Sequence, residues 1–453
     1  MSHATKRLGA HVERRAWQQP TTGARIRRAG EGANVPPALA APEWAATSTT
    51  TAAAQHPLGA PRHNVAVQML RAVAFTLHFL ASGVFIHGAQ MLGCPLYLFN
   101  RQWFYAWMAL TKAYFGLLAI TMTAWWSPTT IRISGDKSMA GLITQDADGL
   151  LRMHLGERIV LMTNHQLYTD WLYIWWISYT NAPAAHGHVY IILKQSLQYI
   201  PMLGPGMRLF GFIFMARKWA SDQARMSYRL RKLSLRHPTG SITGSTQLDP
   251  MWLVIFPEGT NLSANTRRGS ARFSAKSGIP DLRHQLLPRS TGLQFCLNEL
   301  GATVSHLYDC TIGYEGIPAG AYGQDIFTLR SAYFQGRTPK SVNMHWRRYE
   351  IATLPLHDHD AMAAWVLQRW REKDALLERF QQDGRFPADV EAVHIEGGPQ
   401  EKEWKTAYIS TSVRTRRPWE FLQMFAPVVA VTLVARILIQ ALDLAAGFAA
   451  GKD

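Results

Sequence analysis

Two apolar stretches, Met69 to Phe99 and Tyr105 to Trp126, are separated by the short polar step Asn100, Arg101 and Gln102. Each is long enough to cross a bilayer as a helix of about 20 residues. So short a connection returns the chain to the side it entered from, and the pair is predicted to form a helical hairpin. Trp103, Trp107, Trp125 and Trp126 suit interfacial anchoring. His78, His87 and Lys112 lie inside the stretches and weaken the case for two full spans, so that one or both helices are expected to lie in the interface or to enter only partway. Arg62, Arg71, Arg132 and Lys137 flank the pair and favour a cytoplasmic placement for the rest, a bias that Arg101 at the turn weakens.

A third apolar stretch, Phe421 to Ala450, follows the basic run RTRRP at 414 to 418. Arg436 and Asp443 within it fall on one helix face, and a membrane-docked helix is expected. The formal charge of +16, from 47 Lys and Arg against 31 Asp and Glu, suits nucleic acid, anionic headgroups or a polyanionic cofactor. The 16 tryptophans and the apolar stretches select lipid phosphate and exclude nucleic acid as the partner. Cys94, Cys296 and Cys310 make neither a disulfide framework nor a zinc spacing, which places the catalytic part in a reducing compartment.

Residues 1 to 62 are rich in Ala, Thr, Gly, Pro and Arg and are expected to be disordered, because they hold too little apolar surface to offset ordering entropy. Their Arg-rich start resembles a mitochondrial transit segment, but Glu13, Glu31 and Glu43 and the lack of a sustained amphipathic stretch count against it. From 131 to 350, IRIS, RIVLMTNH, VYIILK, GFIFMAR, WLVIFPEG and YDCTIGYEG read as buried strands, with DWLYIWWISYT and ASDQARMSYRLRKLSLR as helices between them. The fold class is α/β, a mixed central sheet flanked by helices, with its chemistry just beyond strand ends. HPTGSITGSTQLDP, 237 to 250, reads as a loop, and 360 to 382 as an amphipathic helix without recognisable chemistry.

The octapeptide NHQLYTDW, 164 to 171, stands at one of these strand ends. In one regular helix His165 and Asp170 would lie about 140° apart, so a turn is needed to join them. Asp170 would then fix the imidazole tautomer from one nitrogen while the other removes a proton from a hydroxyl. The plainer alternative makes Asp170 a helix cap and His165 a solvated turn residue. FPEGTN, 256 to 261, stands at a second strand end; Pro257 and Gly259 force an irregular backbone, and Glu258 can hold a hydroxyl or a cation. Beyond it Arg267, Arg268, Arg272 and Lys276 suit phosphate contact or a solvated basic face.

NHQLYTDW resembles the NHxxxxD motif of the glycerophospholipid acyltransferases, and FPEGTN their FPEGT block. GFIFMAR, 211 to 217, and QLLPRSTGL, 285 to 293, are similar to their second and fourth blocks, in the family's order. The resemblance covers roughly 130 to 350 and the hydrophobic hairpin ahead of it. It implies that His165 and Asp170 are the catalytic pair and that Asn164, Arg217, Glu258, Gly259, Thr260, Arg267 and Arg268 serve substrate binding. Asn261 stands where many members that make phosphatidic acid have arginine, and LSANTRRGSARFSAKSG, LPRSTG and TIGYEG look more like the lysocardiolipin and fungal lysophosphatidylinositol branch.

The domains expected on this resemblance are a basic N-terminal segment (1–62), a membrane hairpin (63–130), a catalytic domain (131–350), a C-terminal extension (351–413) and a C-terminal membrane helix (414–453). The implied activity is acyl transfer from acyl-coenzyme A, as co-substrate, to a free glycerol hydroxyl of lysophosphatidate or a related lysophospholipid, in phospholipid synthesis or remodelling. Lysophosphatidylinositol and monolysocardiolipin are the alternative acceptors. No bound cofactor and no metal are expected; His186, His188 and the HDHD at 357 to 360 are read as loop or surface residues. The endoplasmic reticulum membrane, with the catalytic domain facing the cytosol, is the expected location, and a mitochondrial membrane is the alternative. A hydrolase would need an activated nucleophile, and there is no GxSxG. A non-catalytic lipid-binding protein would explain the charge and the apolar stretches but not a His and Asp pair followed by EGT.

Overall fold

The computed structural model describes residues 56–238, 246–395 and 407–450. The disorder expected for 1–62 therefore lies outside the described residues up to 55. Residues 56–62 run along the folded domain, where the Arg62 N–H donates to Gln335 O at 2.9 Å.

The helices of the hairpin are α1 (Val65–Gly93) and α2 (Arg101–Trp126). Asn64 caps α1 and Asn100 caps α2, each accepting backbone N–H groups of the first turn. Eight strands follow in chain order: β1 (Thr130–Gly135), β2 (Arg158–Thr163), β3 (Val189–Lys194), β4 (Ile213–Met215), β5 (Met251–Ile255), β6 (His306–Tyr314), β7 (Ser341–Glu350) and β8 (Ile409–Ser412). They form one sheet in the order β8-β1-β7-β6-β2-β5-β3-β4. From β6 to β4 all neighbours are parallel, while β7 against β6 and β8 against β1 are antiparallel. The mixed sheet is thus present, with β1 to β6 at the positions of the apolar runs, while β7 and β8 lie outside them. The 237–250 segment differs at its ends, where Arg236–Pro238 and Thr246–Leu248 pair as two short antiparallel strands; 239–245 lie outside the described residues.

Strand periodicity sorts the core into two faces. Ile159, Leu161, Trp252, Val254, Cys310 and Ile312 point to one side, with α2 and α3 (Asp170–Thr180). Val160, Met162, Leu253, Ile255 and Leu307 point to the other. That second face is covered by α4 (Trp219–Leu233), α6 (Ser290–Leu300) and α7 (His359–Asp383); α5 (Ala264–Ser277) lies between α4 and α6 in the chain.

The hairpin is only half of what its hydropathy predicts. α1 leaves Val65, Met69, Leu70, Val73, Leu77, Leu80 and Val84 exposed along one face, and Val65–Phe99 is long and apolar enough to cross a membrane. The second half of α2 is a core segment, since residues 116 to 123 are buried without interruption and every face there is covered by protein, whereas Trp103 and Leu110 in the first half are exposed. Its contact with α3 is close; a Cβ on Gly116 would lie 2.7 Å from the Trp175 indole nitrogen. Hydropathy cannot separate a protein interior from lipid, because both remove apolar surface from water. The polar residues of α2 mark the difference: Thr121 and Thr123 donate back to carbonyls of their own helix, and Lys112 lies over the Tyr190 ring at 3.6 Å. The C-terminal helix α8 (Ala426–Ala450) is also long and apolar enough to cross a membrane over Ala426–Asp443, and no residue of that span is buried.

On the second face a charge group with a fully buried Lys373 and Asp309 at its centre ties α7 to the sheet. Lys373 pairs with Asp309 and donates to Cys310 O at 2.6 Å, while Arg347 holds the other Asp309 oxygen at 2.7 Å and Glu372 at 2.6 Å. Removing one partner of a buried pair strands its counter-charge. Lys373→Ala is therefore expected to lower unfolding free energy by about 3 kcal/mol, the lower end for a broken buried pair because Arg347 still holds Asp309. Thermal unfolding of the purified protein in detergent measures it.

Candidate active site

Parallel strands end on the same edge of the sheet, so adjacent strands deliver whatever follows them to one place. β2 and β5 are hydrogen-bonded neighbours with Met162 opposite Ile255. Three residues past that pair stand His165 and Glu258, and this register alone brings the two motifs together.

The link is direct. The His165 N–H donates to Glu258 Oε1 at 3.0 Å, and the Leu286 N–H donates to Oε2 at 3.1 Å. Glu258 is 4% exposed. Burial pushes its carboxyl up to about 7, against the pull of the two N–H donors. The His165 carbonyl accepts the Leu262 N–H at 2.8 Å, so the two turns are sewn together by a second bond.

The turn from His165 to Asp170 closes as a loop before α3. Asp170 Oδ2 lies 2.9 Å from His165 Nδ1 and also accepts the Leu167 N–H at 3.1 Å. Asp170 is the first residue of α3, where a carboxylate faces the positive end of the helix dipole. Of the two sequence alternatives the pairing is present and the cap is not: Asp170 begins the helix and meets the imidazole, while Thr169 is the N-cap residue, without a side-chain cap bond. Phe256 packs against the His165 ring at 4.2 Å between centroids. The imidazole side chain remains 19% exposed, and among the described residues no group bonds to its Nε2. The Tyr314 hydroxyl, at the end of β6, donates to Asp170 Oδ1 at 2.5 Å. Burial, and then the charge of Asp170, push that phenol well above its ordinary range, so it remains a donor.

Several residues expected to bind substrate have other partners. Asn164 is fully buried and clamps β6, accepting the Ile312 N–H at 2.8 Å and donating to Ile312 O at 3.0 Å. Glu258 has both oxygens taken by backbone. Arg267 turns inward to the carbonyls of Leu282, Arg283 and Gln285. These three groups satisfy buried or turn backbone that would otherwise lack partners, which is their physical role here. Arg268 is exposed beside Asn265. Arg217 sits at a left-handed φ of 66° and donates to Gly259 O at 2.6 Å, joining the end of β4 to the turn of the exposed Gly259 and the half-buried Thr260. Asn261 donates to Gln324 Oε1 at 2.6 Å on the same rim.

Sequence reading missed Tyr314, Phe256 and the part played by α7. The carboxylate of Asp374 accepts the Arg283 and His284 N–H groups at 2.9 and 2.8 Å, and Glu378 meets His284 Nε2 at 2.7 Å. The helix thereby fixes the segment whose Leu286 N–H reaches Glu258. His186 and His188 lie in the loop before β3, as expected, with half-buried rings that burial pushes down to about 4, so they stay neutral. Among the described residues no group of three His, Cys, Asp or Glu gathers to hold a metal.

An acyltransferase family model matches residues 144–312, and an acyltransferase C-terminus model matches 332–426. An uncharacterized acyltransferase of Schizosaccharomyces pombe is 34% identical over 357 residues, covering 79% of this chain and 93% of the relative. The 2-acyl-1-lysophosphatidylinositol acyltransferase of Saccharomyces cerevisiae is 39% identical over 309 residues, covering 63% and 77%. Lysocardiolipin acyltransferase 1 of Gallus gallus is 33% identical over 236 residues, covering 51% and 56%. The α7 region that braces the site thus lies inside the second matched segment. Taken with the motifs gathered on one sheet edge, these similarities show that the chain belongs to the glycerophospholipid acyltransferase family and is an acyltransferase.

Proposed function

We propose that this enzyme transfers an acyl group from acyl-coenzyme A to a free glycerol hydroxyl of a lysophospholipid, with His165 as general base and Asp170 as its orienting partner. The observation that carries the reading is the imidazole held through Nδ1 by a buried carboxylate, with Nε2 at an opening on the sheet edge. His165 Nε2 takes the hydroxyl proton as the oxygen attacks the thioester carbonyl carbon. The C–S bond then breaks, and the leaving thiolate takes the proton back from the imidazolium. No acyl-enzyme is required, and the step needs no group beyond the two substrates and the imidazole.

Lysophosphatidylinositol is the proposed acceptor, supported by the yeast relative that is 39% identical. Lysophosphatidate and monolysocardiolipin are the competing acceptors, the latter favoured by the lysocardiolipin relative. Two apolar helices of spanning length and lipid-acyltransferase relatives favour membrane association. The proposed site of action is the cytosolic face of the endoplasmic reticulum membrane.

Purified protein in detergent, given labelled acyl-coenzyme A with each of the three lysophospholipids, is expected to acylate lysophosphatidylinositol fastest. His165→Ala should lower transfer at least about 100-fold, the scale of general-base catalysis, with the acyl donor still bound. Transfer that survives the substitution removes His165 as the base. A faster rate on another acceptor replaces the headgroup and leaves the chemistry standing.

Glu258 supplies a separate pH test. Its carboxyl lies at about 7 in the folded chain against an ordinary 4.5, so the fold binds its proton more tightly than the unfolded chain does. That contribution to stability is fully present below 4.5 and is lost as pH rises through about 7. Between pH 4.5 and 7.5 the melting temperature of wild type should therefore fall relative to that of Glu258→Gln, which does not titrate. Parallel melting curves across that window would contradict the burial argument.

A further inference from the structure

Asp170 is held by more donors than the imidazole requires. Oδ2 takes His165 Nδ1 and the Leu167 N–H, both from its own turn, whereas Oδ1 takes the Tyr314 hydroxyl, which arrives from a strand 144 residues further on. Tyr314 is 3% exposed and packs against Tyr173 and Phe327, so the phenol has little freedom to turn away. Its height along β6 is fixed independently. Asn164, next to His165, grips both backbone groups of Ile312, and Tyr314 is two residues on, on the same face of the strand. One residue before the imidazole therefore sets the strand that supplies the third member of the group.

We propose that Tyr314 is a positioning residue that acts through Asp170, setting how strongly the carboxylate pulls on the His165 imidazole. This rests on the reading of His165 as the base. A hydrogen bond to a carboxylate favours its charged form and spreads its charge. With the phenol in place, Oδ1 is satisfied, the carboxylate stays turned with Oδ2 toward His165, and its attraction for an imidazolium is moderated. Without the phenol, Oδ1 is a buried acceptor left unmet, more charge bears on His165, and the imidazole keeps its proton to higher pH. A base that stays protonated cannot take the hydroxyl proton, so the loss falls on turnover and leaves substrate affinity alone.

The groups that face this cluster leave the test readable. Tyr173 from α3 and Tyr333 from the turn at 329–334 are held protonated by burial, and so is Cys310 on β6. Glu258 is the neighbouring carboxyl that titrates near neutrality, and it reaches His165 through the backbone N–H.

The experiment uses full-length protein in detergent and two readouts. The first is the pH profile of kcat and KM for acyl transfer. The second is the pH dependence of diethyl pyrocarbonate labelling at His165, resolved by peptide mass spectrometry, which needs no turnover. Tyr314→Phe removes only the hydroxyl, and Tyr314→Leu, which lacks it in another shape, is measured beside it. In both, the labelling midpoint of His165 should rise by about one pH unit, and the acid limb of kcat should move with it while KM holds. The same labelling shift should persist when Glu258→Gln is added, which separates the phenol from Glu258. Unchanged midpoints in folded Tyr314→Phe would overturn the proposal and leave Tyr314 a packing residue. If His165→Ala keeps its activity while the labelling midpoint still moves, the general-base reading fails and the link from Tyr314 through Asp170 to His165 stands.

Discussion

A single buried carboxylate, Glu258, holds the site together. Its two oxygens accept backbone N–H groups from two segments, the turn after β2 and the stretch before α6, which the Gln166 amide also joins by donating to His284 O at 3.0 Å. Backbone N–H groups at strand ends lack ladder partners, and burying them unmet costs roughly 1–3 kcal/mol each. One carboxylate answers both, at the expense of its own desolvation, which is why its carboxyl rises toward neutrality. The geometry of the proposed base is thus a consequence of backbone satisfaction. The imidazole sits where it does because its own main-chain nitrogen is pinned.

That constraint extends outward through α7. Asp374 and Glu378 fix the turn at 283 and 284, and Gln285 reaches Trp370 O at 2.5 Å. The same helix carries Lys373 into the sheet at Cys310 and Thr311, next to the Ile312 that Asn164 grips. From the chain after 350, then, one helix braces both the loop that reaches Glu258 and the strand that reaches Asp170. Its amphipathic pattern is legible in the sequence and its bracing role is not, because no local signal says that Lys373 and Asp374 have partners more than 60 residues away in the chain.

What could be read from the sequence follows the range of each interaction. Strand runs, their polar ends and the helix after Asp170 depend on near neighbours, and they lie where periodicity put them. The meeting of His165 with Asp170 spans five residues, close enough for turn chemistry to suggest. Tyr314 needs the strand order, and no pattern within TIGYEG distinguishes a phenol that reaches a carboxylate from one that packs in a core. The error over α2 has the same origin. An apolar run shows that a helix leaves water; only the neighbours at Gly116 and Trp175 show that it enters protein.

The basic charge also changes meaning once partners are assigned. Arg267 spends its guanidinium on three carbonyls and lies 3.6 Å from Asp281, and Arg158 donates to Thr303 O and Leu233 O. A guanidinium suits this work because its fork satisfies several acceptors at once and stays charged when partly buried. Such cations contribute to net charge yet offer little to a ligand. Arg272 and Lys276 on α5 remain exposed, and Arg217 keeps an exposed bond to Gly259 O at the end of β4. Asn261, tied to Gln324, is a neutral amide pair beside them, so the residue after EGT is held by a neighbouring side chain and carries no charge.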